Sequence, residues 1–109
     1  TAHFNIVHGQ AVASMLPHVI RFNAQSMESQ YCQLASATNA ISGDDSEALA
    51  TFISEITQHS GLATRLEPQG VNAGELPMLA ADAAKQWTAR FNPRTVEVED
   101  LLTLYQQAF

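Results

Sequence analysis

The chain has 109 residues, 46% of them hydrophobic and only 15% charged, and it carries a formal net charge of -6 at pH 7. This length supports one hydrophobic core, so we expect a single domain over residues 1–109. The five basic residues are scattered along the chain rather than clustered, which argues against binding to nucleic acid or to an anionic membrane.

The first predicted helix follows His8-Gly9 and covers the apolar run from Gln10 to Phe22. Its apolar residues recur at the spacing of one helix face: Ala11, Val12, Met15, Leu16 and Val19. Gly9 is expected to let the backbone turn tightly beside His8. A polar break at Asn23–Ser26 is predicted to precede a second amphipathic helix, in which apolar residues recur at steps of three and four: Met27, Tyr31, Leu34 and Ala35.

A third helix is predicted to begin at Asp44, because Asp44 with Glu47 resembles a capping box. Its apolar stripe contains Leu49, Phe52, Ile53 and Ile56. Gly61 is expected to end this helix in a left-handed conformation, and Leu62–Val71 is expected to be a connector with a tight turn.

Pro77 suits the first turn of a fourth helix, which is predicted to begin near Leu76 and to continue to about Arg90. Its apolar face consists of Leu79, Ala80, Ala83, Ala84 and Trp87. Asn92-Pro93-Arg94 interrupts it, and a last helix is predicted from Val98 to Ala108. No alternation typical of strands is visible, so the predicted fold is all-α, a bundle of about five helices with short connections.

Cys32 lies in an apolar helical stretch with no second cysteine to pair with, so we expect it to be a buried small hydrophobic residue. No stretch approaches the ~18 to 20 apolar residues that span a bilayer, and no secretory leader is visible. We therefore expect a soluble, cytoplasmic protein. The low charge content predicts that a large part of its surface contacts another body.

The four histidines, at positions 3, 8, 18 and 59, are the candidate metal ligands. His8 stands at a helix start, where it can bind a metal or be a structural residue satisfied by backbone. His3 does not have the one-turn spacing to His8 of a helical ligand pair. His18 is better explained by packing and His59 as a favourable cation at a helix C-terminus. Since a catalytic metal needs about three protein ligands, His8 alone does not make a site.

No nucleophile motif, glycine-rich nucleotide loop or Walker motif is present, so any nucleotide must be bound mainly elsewhere. Three segments nevertheless resemble one known family. They are His8-Gly9-Gln10-Ala11-Val12, then Leu16-Pro17-His18-Val19-Ile20-Arg21-Phe22-Asn23, and finally Asn92-Pro93-Arg94 before the helix with Asp100-Leu101-Leu102-Thr103-Leu104-Tyr105. Over nearly its whole length the chain resembles the C-terminal helical domain of an iron-containing (group III) alcohol dehydrogenase.

The resemblance implies a longer two-domain enzyme, whose N-terminal Rossmann-like domain binds NAD or NADP. It implies a divalent metal, iron before zinc, held by an aspartate and three histidines, of which His8 matches the last. The other ligands would lie upstream of Thr1. Hydride transfer between a primary alcohol and its aldehyde is implied, and the 109 residues alone are expected to be inactive. The face left without the nucleotide domain would favour association between copies.

This sequence departs from the family pattern at Val7, where a proline is frequent, and at Ala11-Val12-Ala13, where Ala-Asn-Ala is frequent. Two alternatives stay open. Gln10-Ala11-Val12-Ala13 after His8-Gly9 is also similar to dehydroquinate synthases, a related metalloenzyme family. The chain could instead be a non-catalytic helical interaction module in which His8 is structural.

Overall fold

The computed structural model describes residues 8–38, 41, 43–85 and 91–109, and for His8 it describes the backbone alone. It contains four α-helices: α1 (His8–Ala37), α2 (Ser46–His59), α3 (Leu76–Ala84) and α4 (Val98–Ala108). Two short 3-10 turns, Glu67–Gln69 and Ala73–Glu75, precede α3. These residues contain no strand, which confirms the all-α class. The helix count of four is close to the predicted five, because the first two predicted helices are joined across a kink at Met27 and counted as α1.

The predicted break between the first two helices lies at Met27, directly after Asn23–Ser26. Met27 has a non-helical backbone, with φ -124° and ψ 16°, and this kink divides α1 into two helical segments. Asn23 itself is 3% exposed, and its side-chain amide bonds to Asn92, whereas Gln25 and Ser26 are exposed. Asn23 is thus a buried contact of the helix, since an asparagine with a partner for its amide can stay in a helix interior.

Helix α2 begins one residue later than the predicted cap. Asp45, rather than Asp44, has the extended backbone of an N-cap, and its Oδ1 accepts a 2.8 Å hydrogen bond from the Ala48 amide. Glu47 forms an ion pair with Arg21 of α1 instead of closing a capping box. Gly61 follows the helix with φ +77°, as expected for its left-handed end.

Helix α3 begins at Leu76, with Pro77 in its first turn as predicted. It ends at Ala84, and the predicted continuation to Arg90, with Trp87, lies outside the described residues. Helix α4 has the predicted bounds. Its capping box is formed by Glu97 and Asp100, whose Oδ2 accepts the Glu97 amide at 3.0 Å.

Two apolar clusters hold the helices together. The first lies between α1 and α2 and contains Ile20, Ala35, Ile41, Leu49 and Ala50. The second joins the connector, α3 and the end of α4 through Leu66, Val71, Leu76 and Ala108. The backbone amide of Leu66 also donates a 2.8 Å hydrogen bond to the Ala108 carbonyl. The connector is therefore fixed to the C-terminal end of the chain.

Several apolar residues predicted to line helix faces do not reach either cluster. Val12 is 48% exposed, Leu34 54% and Ile56 49%. Cys32 is half-buried rather than buried, with Sγ 3.6 Å from Glu28 Oε1. None of the described helices is long and apolar enough to cross a membrane.

Candidate functional site

The predicted metal ligand His8 is the first residue of α1, and its side chain lies outside the described residues, as does all of His3. Its ligation of a metal therefore stays a prediction. Gly9 lies in the helix rather than in a tight turn, and a Cβ built on it would meet nothing within 4 Å. Among the described residues, no neighbour gives a steric reason for this glycine.

A polar network holds this end of α1 to the connector. Ser14 is 1% exposed, and its Oγ lies 2.9 Å from the Gln10 carbonyl oxygen and 3.1 Å from that of Ala63. The Ala63 amide donates to Gln10 Oε1 at 3.0 Å. Gln69 Nε2 donates to Ser14 Oγ at 2.7 Å and to the Arg65 carbonyl at 2.8 Å. Sequence reasoning missed these residues, because their partners are far apart in the chain.

A second set of polar contacts joins the middle of α1 to the segment before α4. The side-chain amides of Asn23 and Asn92 bond to each other twice, at 2.9 and 2.7 Å. Arg94 Nη1 donates to the Phe22 carbonyl at 3.0 Å, and its guanidinium carbon lies 4.0 Å from the centre of the Phe22 ring. We call these four residues the asparagine latch. It brings together two of the segments that carried the family resemblance.

His18 lies beside the latch, in an open cleft of about 570 Å³ between α1 and α4. The cleft is lined by His18, Arg21, Phe22, Arg94, Asp100, Thr103, Leu104 and Gln107. Burial, and secondarily the nearby Arg21 charge, lowers the pKa of His18. His18 follows His8 by ten residues, which is about 15 Å along a helix axis. The structure therefore places His18 away from His8, half-buried in the lining of this open cleft.

The remaining donors do not assemble a metal site among the residues described. No three histidine, cysteine, aspartate or glutamate side chains form a group there that could hold a metal ion. His59 is the last residue of α2 and is exposed. The donor set thus fits the contribution of one imidazole from the start of α1, with the other ligands supplied from outside these residues.

Comparison with known proteins assigns the chain to a family. The sequence model of the Fe-containing alcohol dehydrogenase family, C-terminal, matches residues 1–109. The chain belongs to this family. This confirms the resemblance seen in the sequence and favours the dehydrogenase over the dehydroquinate synthase alternative.

Individual relatives support the family assignment. The chain is 30% identical over 113 residues to lactaldehyde reductase of Escherichia coli strain K12, covering 99% of this chain and 30% of that protein. It is 27% identical over 111 residues to 1,3-propanediol dehydrogenase of Klebsiella pneumoniae, covering 97% and 29%. A crystal structure of 1,3-propanediol oxidoreductase superposes with a TM-score of 0.87 at 27% identity, over 97% of this chain and 29% of that one.

The chain therefore spans about three-tenths of the length of the curated relatives it matches. Its sequence corresponds to the C-terminal part of the Fe-containing alcohol dehydrogenase family, which in general uses a metal and NAD or NADP to act on alcohols and aldehydes.

Proposed function

We propose that this domain completes the metal and substrate site of a longer NAD(P)-dependent dehydrogenase, which transfers hydride between a small primary alcohol and its aldehyde. The observation that carries the proposal is the family match over all 109 residues, together with the small share of each relative that these residues cover. The partner within the protein is an N-terminal nucleotide-binding domain. We place the enzyme in the cytoplasm.

We further propose that His8 is one of the ligands of the metal, with iron expected before zinc. His8 is the first residue of α1, and a neutral imidazole is a ligand that either metal accepts. When bound, the metal supplies Lewis-acid polarisation of the alcohol oxygen, and the nicotinamide supplies the hydride acceptor. The N-terminal end of α1 adds a partial positive charge that favours negative charge developing nearby.

Names of the relatives support a small substrate, since they specify lactaldehyde and 1,3-propanediol. The exposed Val12 is one helical turn beyond His8, at a position where the sequence departs from the frequent Ala-Asn-Ala pattern. We therefore propose that the substrate is a small alcohol or aldehyde, and that the helix surface next to His8 is less polar than the family pattern implies.

Turnover by the full-length protein tests the proposed reaction. We expect reduction of NAD⁺ or NADP⁺ with 1,3-propanediol or another small primary alcohol as the substrate. Residues 1–109 alone should show no turnover, because the chain contains no nucleotide-binding loop. Absence of dehydrogenase activity in the metal-loaded full-length protein across a panel of small alcohols and aldehydes would refute the proposal, as would turnover by the isolated 109 residues.

A further inference from the structure

Apolar packing of α1 begins at Met15, which packs against the second apolar cluster, and Pro17 is also buried. Before Met15, the only fully buried side chain among those described is Ser14, and Val12, one turn after His8, is exposed. Among the described residues, the turns of α1 before Met15 are therefore held through Gln10 and Ser14.

The connector holds both of these residues, at successive turns of the helix. The Ala63 carbonyl accepts a 3.1 Å hydrogen bond from Ser14 Oγ, and the Ala63 amide donates to Gln10 Oε1 at 3.0 Å. One connector residue thus bonds to two turns of α1. Gln69, six residues later, donates to the same Ser14 hydroxyl at 2.7 Å. These contacts restrict both sliding and rotation of the helix end.

One side-chain atom of this network lacks a hydrogen-bond partner among the described residues. Gln69 Oε1 is buried and has no hydrogen-bond partner within the described structure. A buried acceptor without a donor is unfavourable for folding. The amide is explained by the two bonds that its Nε2 donates, to Ser14 Oγ and to the Arg65 carbonyl.

We propose that Gln10, Ser14 and Gln69 are positioning residues for His8: they fix the first turns of α1 against the connector and so set where the His8 imidazole meets the metal. This inference rests on the proposed function, in which His8 is a metal ligand. Groups that orient a metal ligand commonly change metal affinity by about 10- to 100-fold when they are removed. Since Ser14 acts through the helix backbone, we expect the low end of this range.

Metal affinity of the full-length protein tests the proposal through Ser14→Ala and Gln69→Met. The matched control is Thr57→Val, because Thr57 is also buried and its hydroxyl also donates to a carbonyl four residues earlier, at 2.9 Å, but it lies on α2. Dissociation constants for Fe²⁺ and Co²⁺ are measured by competition with a chelator. The absorption spectrum of the Co²⁺ form reports the ligand geometry without relying on turnover.

We expect both network variants to weaken metal binding by about tenfold and to change the Co²⁺ spectrum, while Thr57→Val leaves both unchanged even if its melting temperature falls. Gln69→Met alters a half-buried position, so it provides a result even if Ser14→Ala does not fold. Unchanged affinity and spectrum in the network variants, or an equal effect of Thr57→Val, would overturn the inference.

His8→Ala separates the positioning role from the proposed metal ligand. If it binds metal normally, the proposed ligand is wrong. If it loses the metal while the network variants keep it, only the positioning role is wrong.

Discussion

Removal of one asparagine of the asparagine latch should destabilise the domain, because the other asparagine then stays buried without its partner. Asn92→Ala deletes both bonds between the paired amides, as well as the 2.7 Å bond from Asn92 Nδ2 to the Arg94 carbonyl. Asn23 then keeps a donor and an acceptor at a site that is only 3% exposed. Leaving a buried polar group unpaired costs about 1–3 kcal/mol.

We expect Asn92→Ala to lower the free energy of unfolding by about 2 kcal/mol. This is near the lower end of the range for two unpaired groups, because Asn92 is half-buried and water can enter where its side chain stood. Asn23→Ala should cost a similar amount. In the double variant no amide is left without its partner. Its loss in free energy of unfolding should therefore be close to that of either single variant. The coupling between the two positions should therefore be about 1–2 kcal/mol.

Urea denaturation of the full-length protein and its three variants measures this coupling, and amide hydrogen exchange near residues 23 and 92 assigns the change to this domain. Asn72→Ala is the control, because Asn72 also bonds to a side chain, Glu75 Oε1 at 2.8 Å, but is exposed. It should lose less than about 1 kcal/mol. Losses from Asn23→Ala and Asn92→Ala that add within about 0.5 kcal/mol would refute the reasoning.

Two further predictions concern single helices. Because burial and Arg21 lower the pKa of folded His18, the unfolded chain binds the proton first as the pH falls below its ordinary 6.5. The contribution of neutral His18 to stability should then be fully present above pH 6.5 and decline toward pH 5. His18→Asn should flatten this decline in melting temperature. An unchanged slope of melting temperature against pH would contradict the assignment of this dependence to His18. Asp45→Ala removes the N-cap of α2 and should lower the free energy of unfolding by about 1 kcal/mol, whereas Asp44→Ala should have little effect; equal losses would contradict the cap assignment.

Local signals predicted much of the fold. Pro77 marked the start of α3 and Gly61 the end of α2. Each of these signals acts through a backbone conformation or a bond within a few residues, so the sequence contains both partners.

Features that depend on distant partners could not be predicted this way. The polar residues after Phe22 indicated the kink at Met27, but nothing nearby shows that Asn23 pairs with Asn92, 69 residues away. The Ser14 network joins residues 49 and 55 apart. Periodicity also predicts an apolar face without showing whether another element covers it. The exposure of Val12 could not be predicted for this reason.

The role of His8 came from the family resemblance, since its own spacing to the other histidines favoured a structural residue. The asparagine latch explains why the resemblance was informative: its two segments are remote in sequence and in contact in the fold. A pattern that needs both segments is harder to meet by chance than a single histidine beside a glycine.

The most direct test of the account is the metal content of the full-length protein and its His8→Ala variant, with His59→Ala as the control for loss of an exposed histidine. Elemental analysis after loading with Fe²⁺ or Zn²⁺ and removal of excess ion gives the stoichiometry. We predict one metal per chain in the unaltered protein and in His59→Ala, and a large loss in His8→Ala with its helical content retained. Full metal content in His8→Ala would contradict the claim that this domain contributes a ligand through His8.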